Sequence, residues 1–303
     1  MTSSTVIYKR ERQRFPTGRV IAWTCMVLLL FISLFPFYWM LRTALTPQKL
    51  IYTNTTSLLP VRVTLDNFKR VLGFFSVQEA LLAGGSGQTI DFGRALFNSL
   101  ALSLIVAVGQ TFFSSMAAFA FARLKFPFRD QLFFIYITAM MIPDVVTLIP
   151  NFVLIHDLGW LNSFQGIVAP FLLMSPFAVF FMRQFFLGIN KELEDEAMID
   201  GANWYVIFFR ILVPIVSTAM TTLALVTFIG FMNEYIWPLI IGRTAETRTL
   251  TVAMGVFRAQ RPQAGEDWGG LMAGYSLSVI PPLLLLFFFG KKIVNSIRFS
   301  GIK

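Results

Sequence analysis

Glu192-Leu193-Glu194-Asp195-Glu196-Ala197-Met198-Ile199-Asp200-Gly201-Ala202, followed by Arg210-Ile211-Leu212-Val213-Pro214, lies between two long apolar runs. An acidic, amphipathic stretch ended by a glycine has no packing use inside a bilayer. It must face water, and the runs on either side must not. A cluster of this kind on the water side marks a place where something is bound.

The runs extend over the whole chain of 303 residues, which is 56% hydrophobic and only 14% charged. A soluble domain is about 45–50% apolar and about 25% charged, so this chain lacks the polar surface to cover a soluble globule. Val20–Leu41, Ala95–Ala122, Leu158–Met182, Ile211–Asn233 and Trp268–Gly290 contain no Asp, Glu, Lys or Arg, and each has at least 22 residues. A sixth run, Gln131–Ile155, is interrupted only by Asp144. A hydrocarbon core of about 30 Å needs roughly 20 helical residues, and in lipid each backbone polar group must be satisfied within its own segment. The fold class is therefore all-α integral membrane. Six transmembrane helices are expected over 20–41, 95–122, 131–155, 164–186, 209–241 and 271–290, with a cytoplasmic segment over 190–209. The first run is too long for the core of a cleavable signal, and no small-x-small site follows it; it reads as an anchor.

The net charge of +9 is unevenly placed. With the N-terminus inside, the inner segments (1–19, 121–131, 183–210, 291–303) hold 15 of the 25 Lys and Arg in 71 residues, and the outer ones hold 10 in 90. The inner density is about twice the outer, as the positive-inside rule requires. Both termini, 1–19 and 299–303, are thus cytoplasmic tails around a membrane-spanning body over 20–298. Most basic residues flank helices, which argues against nucleic acid as a partner. The lipid bilayer is the first partner, and a multi-pass membrane protein is expected.

Cys25 is the only cysteine and His156 the only histidine, so no metal site is expected within the chain. Gly84–Thr89 has the look of a phosphate loop but lacks its Gly-Lys-Ser/Thr ending, and it lies on the outer side. The chain also lacks His-Glu-x-x-His, a Gly-x-Ser-x-Gly elbow and paired intramembrane carboxylates. No catalytic residue and no cofactor are expected. A self-contained secondary transporter would show internal repeats and more intramembrane charge, and neither is evident. Prolines punctuate the spans, among them Pro36, Pro143, Pro150, Pro176 and Pro214, each removing a backbone donor.

In the acidic stretch, Asn190 is placed to cap a helix whose first turn carries Glu192 and Glu194 at its positive end. Gly201 permits a bend, and a second helical piece over Asn203–Phe209 leads into Pro214. Two short helices bent at a glycine make a knob projecting into the cytoplasm. In the outer loop 42–94, Asp66 is the expected cap of a short helix.

This segment resembles the "EAA" loop of ABC importer permeases: Glu-Ala-Ala, three residues, Gly, nine residues, Ile-x-Leu-Pro. The pattern falls on Asp195-Glu196-Ala197, Gly201 and Ile211-Leu212-Val213-Pro214 with its spacing intact. Asp195, Glu196 and Val213 depart from the usual residues, and Glu196 stands where a small alanine is common. Ile142-Pro143, Asp200-Gly201-Ala202 and Asn233-Glu234-Tyr235-Ile236-Trp237-Pro238-Leu239 look like the carbohydrate-importing subgroup, and the six spans are similar to its maltose-type "G" subunit. The resemblance implies a non-catalytic permease subunit for a sugar or sugar-like solute. It would form half of the translocation path with a second permease, a heterodimer. Two copies of a cytoplasmic ATPase and an extracytoplasmic solute-binding protein would complete the assembly. The alternative is a permease for a glycerol phosphodiester or a polyol.

The resemblance also assigns ATPase coupling to Glu194, Asp195, Glu196, Ala197, Asp200, Gly201, Ala202 and Pro214. For the substrate path the candidates are Asp144, Asn151, Asn233 and Glu234. Treated as one straight helix, span three would put Asp144 about 20 Å from its inner end at 1.5 Å per residue, where an ionisable group usually faces an interior or a water-filled route. Glu234, beside Tyr235 and Trp237, would lie near the outer interface.

Overall fold

The computed structural model describes residues 17–53, 57–85, 90–258 and 266–299. Residues 1–16 of the basic N-terminal tail, residues 86–89 of the Gly84–Thr89 stretch and the tail residues 300–303 lie outside them.

Helix α1 runs Thr17–Ala44, and α2 (Asp66–Val71) and α3 (Val77–Leu82) follow in the outer loop. The cap of α2 differs from expectation. Asp66 is its first helical residue, and the Thr64 hydroxyl accepts the Asp66 N–H at 3.1 Å. Span two is α4 (Phe92–Arg123), opened by Asp91, whose side chain accepts the Arg94 N–H at 2.9 Å. Its buried face carries Ser99, Ser103, Ala107, Thr111, Ser115, Ala118 and Ala122, small side chains every three or four residues that let neighbouring helices come close. Two of the hydroxyls are satisfied within the helix: Ser103 donates to Ser99 O at 2.7 Å and Ser115 to Thr111 O at 2.6 Å. A Cβ on Gly109 would lie 2.7 Å from the Leu172 carbonyl oxygen, so only glycine fits where α4 meets the middle of span four.

Span three is where the sequence-based expectation fails. It consists of α5 (Arg129–Thr138), a 3-10 turn to Met141, and α6 (Asp144–Asp157), and the two arms meet at 98°. The cause is local. Proline disfavours the α conformation in the residue before it, and Ile142 is extended, with ψ 116°. The depth of Asp144 reckoned along a straight helix therefore does not hold. Span four breaks for the same reason at Ser175-Pro176: α7 (Phe164–Val168) with its 3-10 extension meets α8 (Pro176–Leu187) at 43°. Ser175 accepts the Ala178 N–H at 3.2 Å, and Pro176 takes a first-turn position that needs no donor.

The cytoplasmic helix α9 (Glu192–Ile199) leads through the one-turn α10 (Trp204–Val206) and a π-helical stretch (Ile207–Leu212) into α11 (Val213–Met232). Within the expected span 209–241 the long helix ends at Met232, because Asn233–Tyr235 break it before the separate α12 (Ile236–Ile241). After α13 (Leu250–Arg258), span six is α14 (Trp268–Ser278) continued by α15 (Ile280–Phe299). Among the described residues, four helices are long and apolar enough to cross a membrane, and each bent pair counted as one span brings the number to six.

The core forms where α4 packs along α11 and α8. Ala118, Phe119, Val179, Met182, Phe186, Ile207, Phe208 and Leu212 are buried together at the cytoplasmic end. Helix α1 stands apart: residues 18–38 are all exposed, and it meets the body mainly along α14.

Candidate functional site: the cytoplasmic knob

Residues 188–203 form a compact bend built almost wholly by local chemistry. Asn190 accepts the Glu192 N–H at 3.3 Å and donates to the Glu192 carboxylate at 2.8 Å. Glu192, Glu194 and Asp195 occupy the first turn of α9, where negative charge meets the positive end of the helix dipole. The far end is a Schellman cap. The Gly201 N–H bonds to Met198 O at 3.0 Å and the Ala202 N–H to Ala197 O at 2.9 Å, with Gly201 at φ 83°. Asn203 then accepts the Val206 N–H at 2.9 Å and starts the next helix.

This geometry sorts the coupling candidates into two sets. Asp195, Glu196, Asp200 and Gly201 are exposed, and Ile199 (85%) and Tyr205 (70%) stand out beside them. Ala197 and Ala202 pack against the aromatic core beneath. Pro214 is exposed in the first turn of α11. Glu194 belongs to neither set. It is buried, with its Oε1 2.7 Å from Arg123 Nε at the end of α4, and Arg123 Nη2 donates to Ile189 O at 2.6 Å. Burial holds the Glu194 carboxyl above its ordinary pKa, with Asp195 adding to the rise and Arg123 and Lys191 opposing it. Glu194 thus faces its own chain and does not share the exposed face of the knob. Sequence reading took Arg123 for a charge flanking a helix, and its only signal was its place at the end of an apolar run.

The path candidates do not gather in one pocket. Asp144 is exposed in the first turn of α6. Asn151 is half-buried and lines a cleft of about 230 Å³ with Trp160, Ala169 and Pro170. Asn233 donates to Ile229 O at 2.8 Å at the end of α11, and Glu234 accepts the Trp237 N–H at 3.2 Å. These last two side chains cap the break between α11 and α12. The α6 and α12 ends do share one core, with Ile155, Trp237 and Ile241 buried together. His156 and Asp157 pair at 3.1 Å on the surface.

A second buried polar group, on the outer side, escaped the sequence altogether. Arg70 donates to both oxygens of Asp267, at 2.6 and 3.0 Å, and to Asn67 Oδ1 at 2.7 Å. Asn67 donates to Ala44 O and Thr46 O at 2.8 and 2.7 Å, and Gln48 bonds to Glu266 O and the Gly269 N–H. The knot fastens α1, α2 and α14 together.

Comparisons with known proteins agree with this architecture. Residues 110–299 match the family described as binding-protein-dependent transport system inner membrane component. The arabinooligosaccharides transport system permease protein AraQ of Bacillus subtilis (strain 168) is 30% identical over 97% of this chain and 99% of its own length. The sn-glycerol-3-phosphate transport system permease protein UgpE of Agrobacterium fabrum is 30% identical over 89% of this chain and 93% of its own. A chain in the crystal structure of a bacterial ABC transporter involved in the import of the acidic polysaccharide alginate shares the fold. Its TM-score is 0.72 at 21% identity, over 95% of this chain and 99% of that one.

Proposed function

We propose a function from one premise: the chain belongs to the family of binding-protein-dependent transport system inner membrane components. It is a multi-pass, non-catalytic permease subunit of an ATP-binding-cassette importer, and ATP is hydrolysed by a separate chain. The solute is a carbohydrate, an oligosaccharide by the names of AraQ and the alginate importer. A glycerol phosphate is the second reading, favoured by the equal identity to UgpE.

The knob is the coupling site, and the observation that carries this is its outward face. Asp195, Glu196 and Asp200 surround the exposed Ile199, an apolar anchor in an acidic rim that fits a cleft with basic edges. Charge there sets orientation more than affinity. Glu196 lies on this outward face, so the larger side chain meets the ATPase and not the core. A second permease supports the remaining surface: residues 18–38 of α1 are exposed all round, so lipid covers one side and the partner the other. For the path, Asp144, Thr147 and Asn151 lie at helical spacing i, i+3 and i+7 on α6, which supports a polar stripe for solute hydroxyls.

The test is reconstitution with the second permease, two ATPases and the binding protein. Ile199→Asp should abolish ATP hydrolysis stimulated by the binding protein while the permease pair still assembles; full stimulation would refute the assignment. Asp144→Asn should raise the KM for uptake, and unchanged uptake kinetics would remove Asp144 from the path.

A further inference from the structure

We infer that the Arg123–Glu194 pair is the strut through which the knob moves span two, which makes both residues positioning residues for the coupling of ATP hydrolysis to transport. This rests on the coupling reading above and deepens it. The chain itself joins the knob only to α8 on one side and to α10 and α11 on the other. Helix α4, which packs against both α8 and α11 in the centre of the body, has no covalent link to it. The link is Arg123. Its Nε meets the Glu194 carboxylate at 2.7 Å, and its Nη2 meets Ile189 O at 2.6 Å, so one guanidinium grips both the turn before α9 and α9 itself.

Burial turns this grip into a transmitter. The two side chains are 2% and 6% exposed. If the knob moved and α4 stayed, an arginine and a carboxylate would each be stranded without a partner in a poorly solvated place, which is costly. Moving together avoids that cost. One turn back on α4, Phe119 lies 5.0 Å from Phe208, 6.0 Å from Phe186 and 6.1 Å from Trp204 between ring centroids. These rings bear on α4 from the knob's two flanks, so a push meets packing and a pull meets the ion pair.

The test uses the assembled complex in lipid nanodiscs, with Cys25→Ser to remove the native thiol. Spin labels are placed at Lys125→Cys, just past α4, and at Lys191→Cys, just before α9; both positions are exposed. Electron–electron distances are measured with and without a non-hydrolysable ATP analogue. With Arg123 intact the distance should stay narrow and unmoved by nucleotide. With Arg123→Gln it should shift or broaden on nucleotide binding, and Arg123→Lys should restore the narrow distribution. In unlabelled complexes, stimulation of ATP hydrolysis by the binding protein should fall about fivefold or more in Arg123→Gln, the usual lower bound for a coupling between sites. A nucleotide-insensitive distance in Arg123→Gln would overturn the inference. So would failure of both Arg123→Gln and Glu194→Gln to assemble, because the pair would then hold the fold and not transmit motion. If the unsubstituted complex bound no ATPase at all, the importer reading itself would fail, a different result from either.

Discussion

Two arginine–carboxylate pairs are buried to the same degree on opposite faces of this permease, and they are wired differently. On the outer side, Arg70 and Asp267 are 3% and 2% exposed and meet through two hydrogen bonds. Each has further work: Arg70 also bonds Asn67, and Asp267 caps α14 through the Gly270 N–H at 2.9 Å. On the inner side, Arg123 and Glu194 meet through one contact, and the carboxylate is held above its ordinary pKa because burial outweighs the arginine's pull. The outer pair is the centre of a network that satisfies most of its polar atoms, and such a network makes one rigid unit. The inner pair has no such network around its carboxylate, and it fixes where the knob sits relative to the end of α4. Similar burial therefore comes with two wirings: a branched network outside, and inside a single carboxylate contact between the end of α4 and the knob.

The largest expected effect tests the platform. Arg70→Met leaves the Asp267 carboxylate in place without its main partner, and removing one member of a buried pair costs about 3–5 kcal/mol. A thermal unfolding midpoint in detergent should fall steeply, and the bonds of Asn67 to the end of α1 and of Gln48 to the start of α14 should loosen with it. The double change Arg70→Met with Asp267→Leu should recover part of the loss, since apolar replacement of a whole pair is often close to neutral. A loss no larger than that of an ordinary surface change would erase the distinction between the two pairs.

A smaller effect is expected at the knob's own bend. Gly201 sits at φ 83° with no heavy atom within 4 Å of an added Cβ, so a substitution there is penalised by backbone strain and not by crowding. Gly201→Val should cost about 1–2 kcal/mol, the usual penalty of left-handed backbone for a side chain with Cβ. Gly201→Asn should cost less, because asparagine tolerates that region. Limited proteolysis between α9 and α10 reads the difference. Equal resistance in the two variants would mean that the Schellman cap is not what shapes the knob.

What was legible in the sequence follows the range of the forces involved. The knob could be read because its parts are local: Asn190, Glu192, Gly201 and Asn203 each act within a few residues, and every one of those bonds closes at a separation of two to five residues. The six apolar runs were legible because lipid imposes length on composition. The breaks at Ile142-Pro143 and Ser175-Pro176 were visible as prolines, yet the angles of 98° and 43° depend on neighbours that pattern does not name. Arg70 with Asp267 and Arg123 with Glu194 were invisible, because they join residues far apart in the chain. Glu234 shows the opposite case: a path candidate near the interface also has a local partner, the Trp237 N–H three residues on, which its place in the sequence did not name.

The smallest effect in stability is the most discriminating one. Glu194→Gln keeps the shape and an acceptor oxygen for Arg123 and removes the charge that burial disfavours. Because the folded pKa of Glu194 is raised, its favourable contribution is fully present below its ordinary value of 4.5 and is lost as pH rises through the higher folded value. Burial thus makes the ionised carboxylate less favourable in the folded protein than in the unfolded chain, and neutralisation at Glu194 should cost less than the loss expected at Arg70. The unsubstituted protein should gain stability relative to the Gln variant as pH falls through that window, and the two should run parallel above it. Unfolding midpoints of both proteins across that pH range provide the check. A large loss at neutral pH would place the inner pair in the same class as Arg70 and Asp267. A near-neutral stability together with weakened coupling would separate them, since an interaction that contributes little to the folded state can still decide which helix follows when the knob is moved.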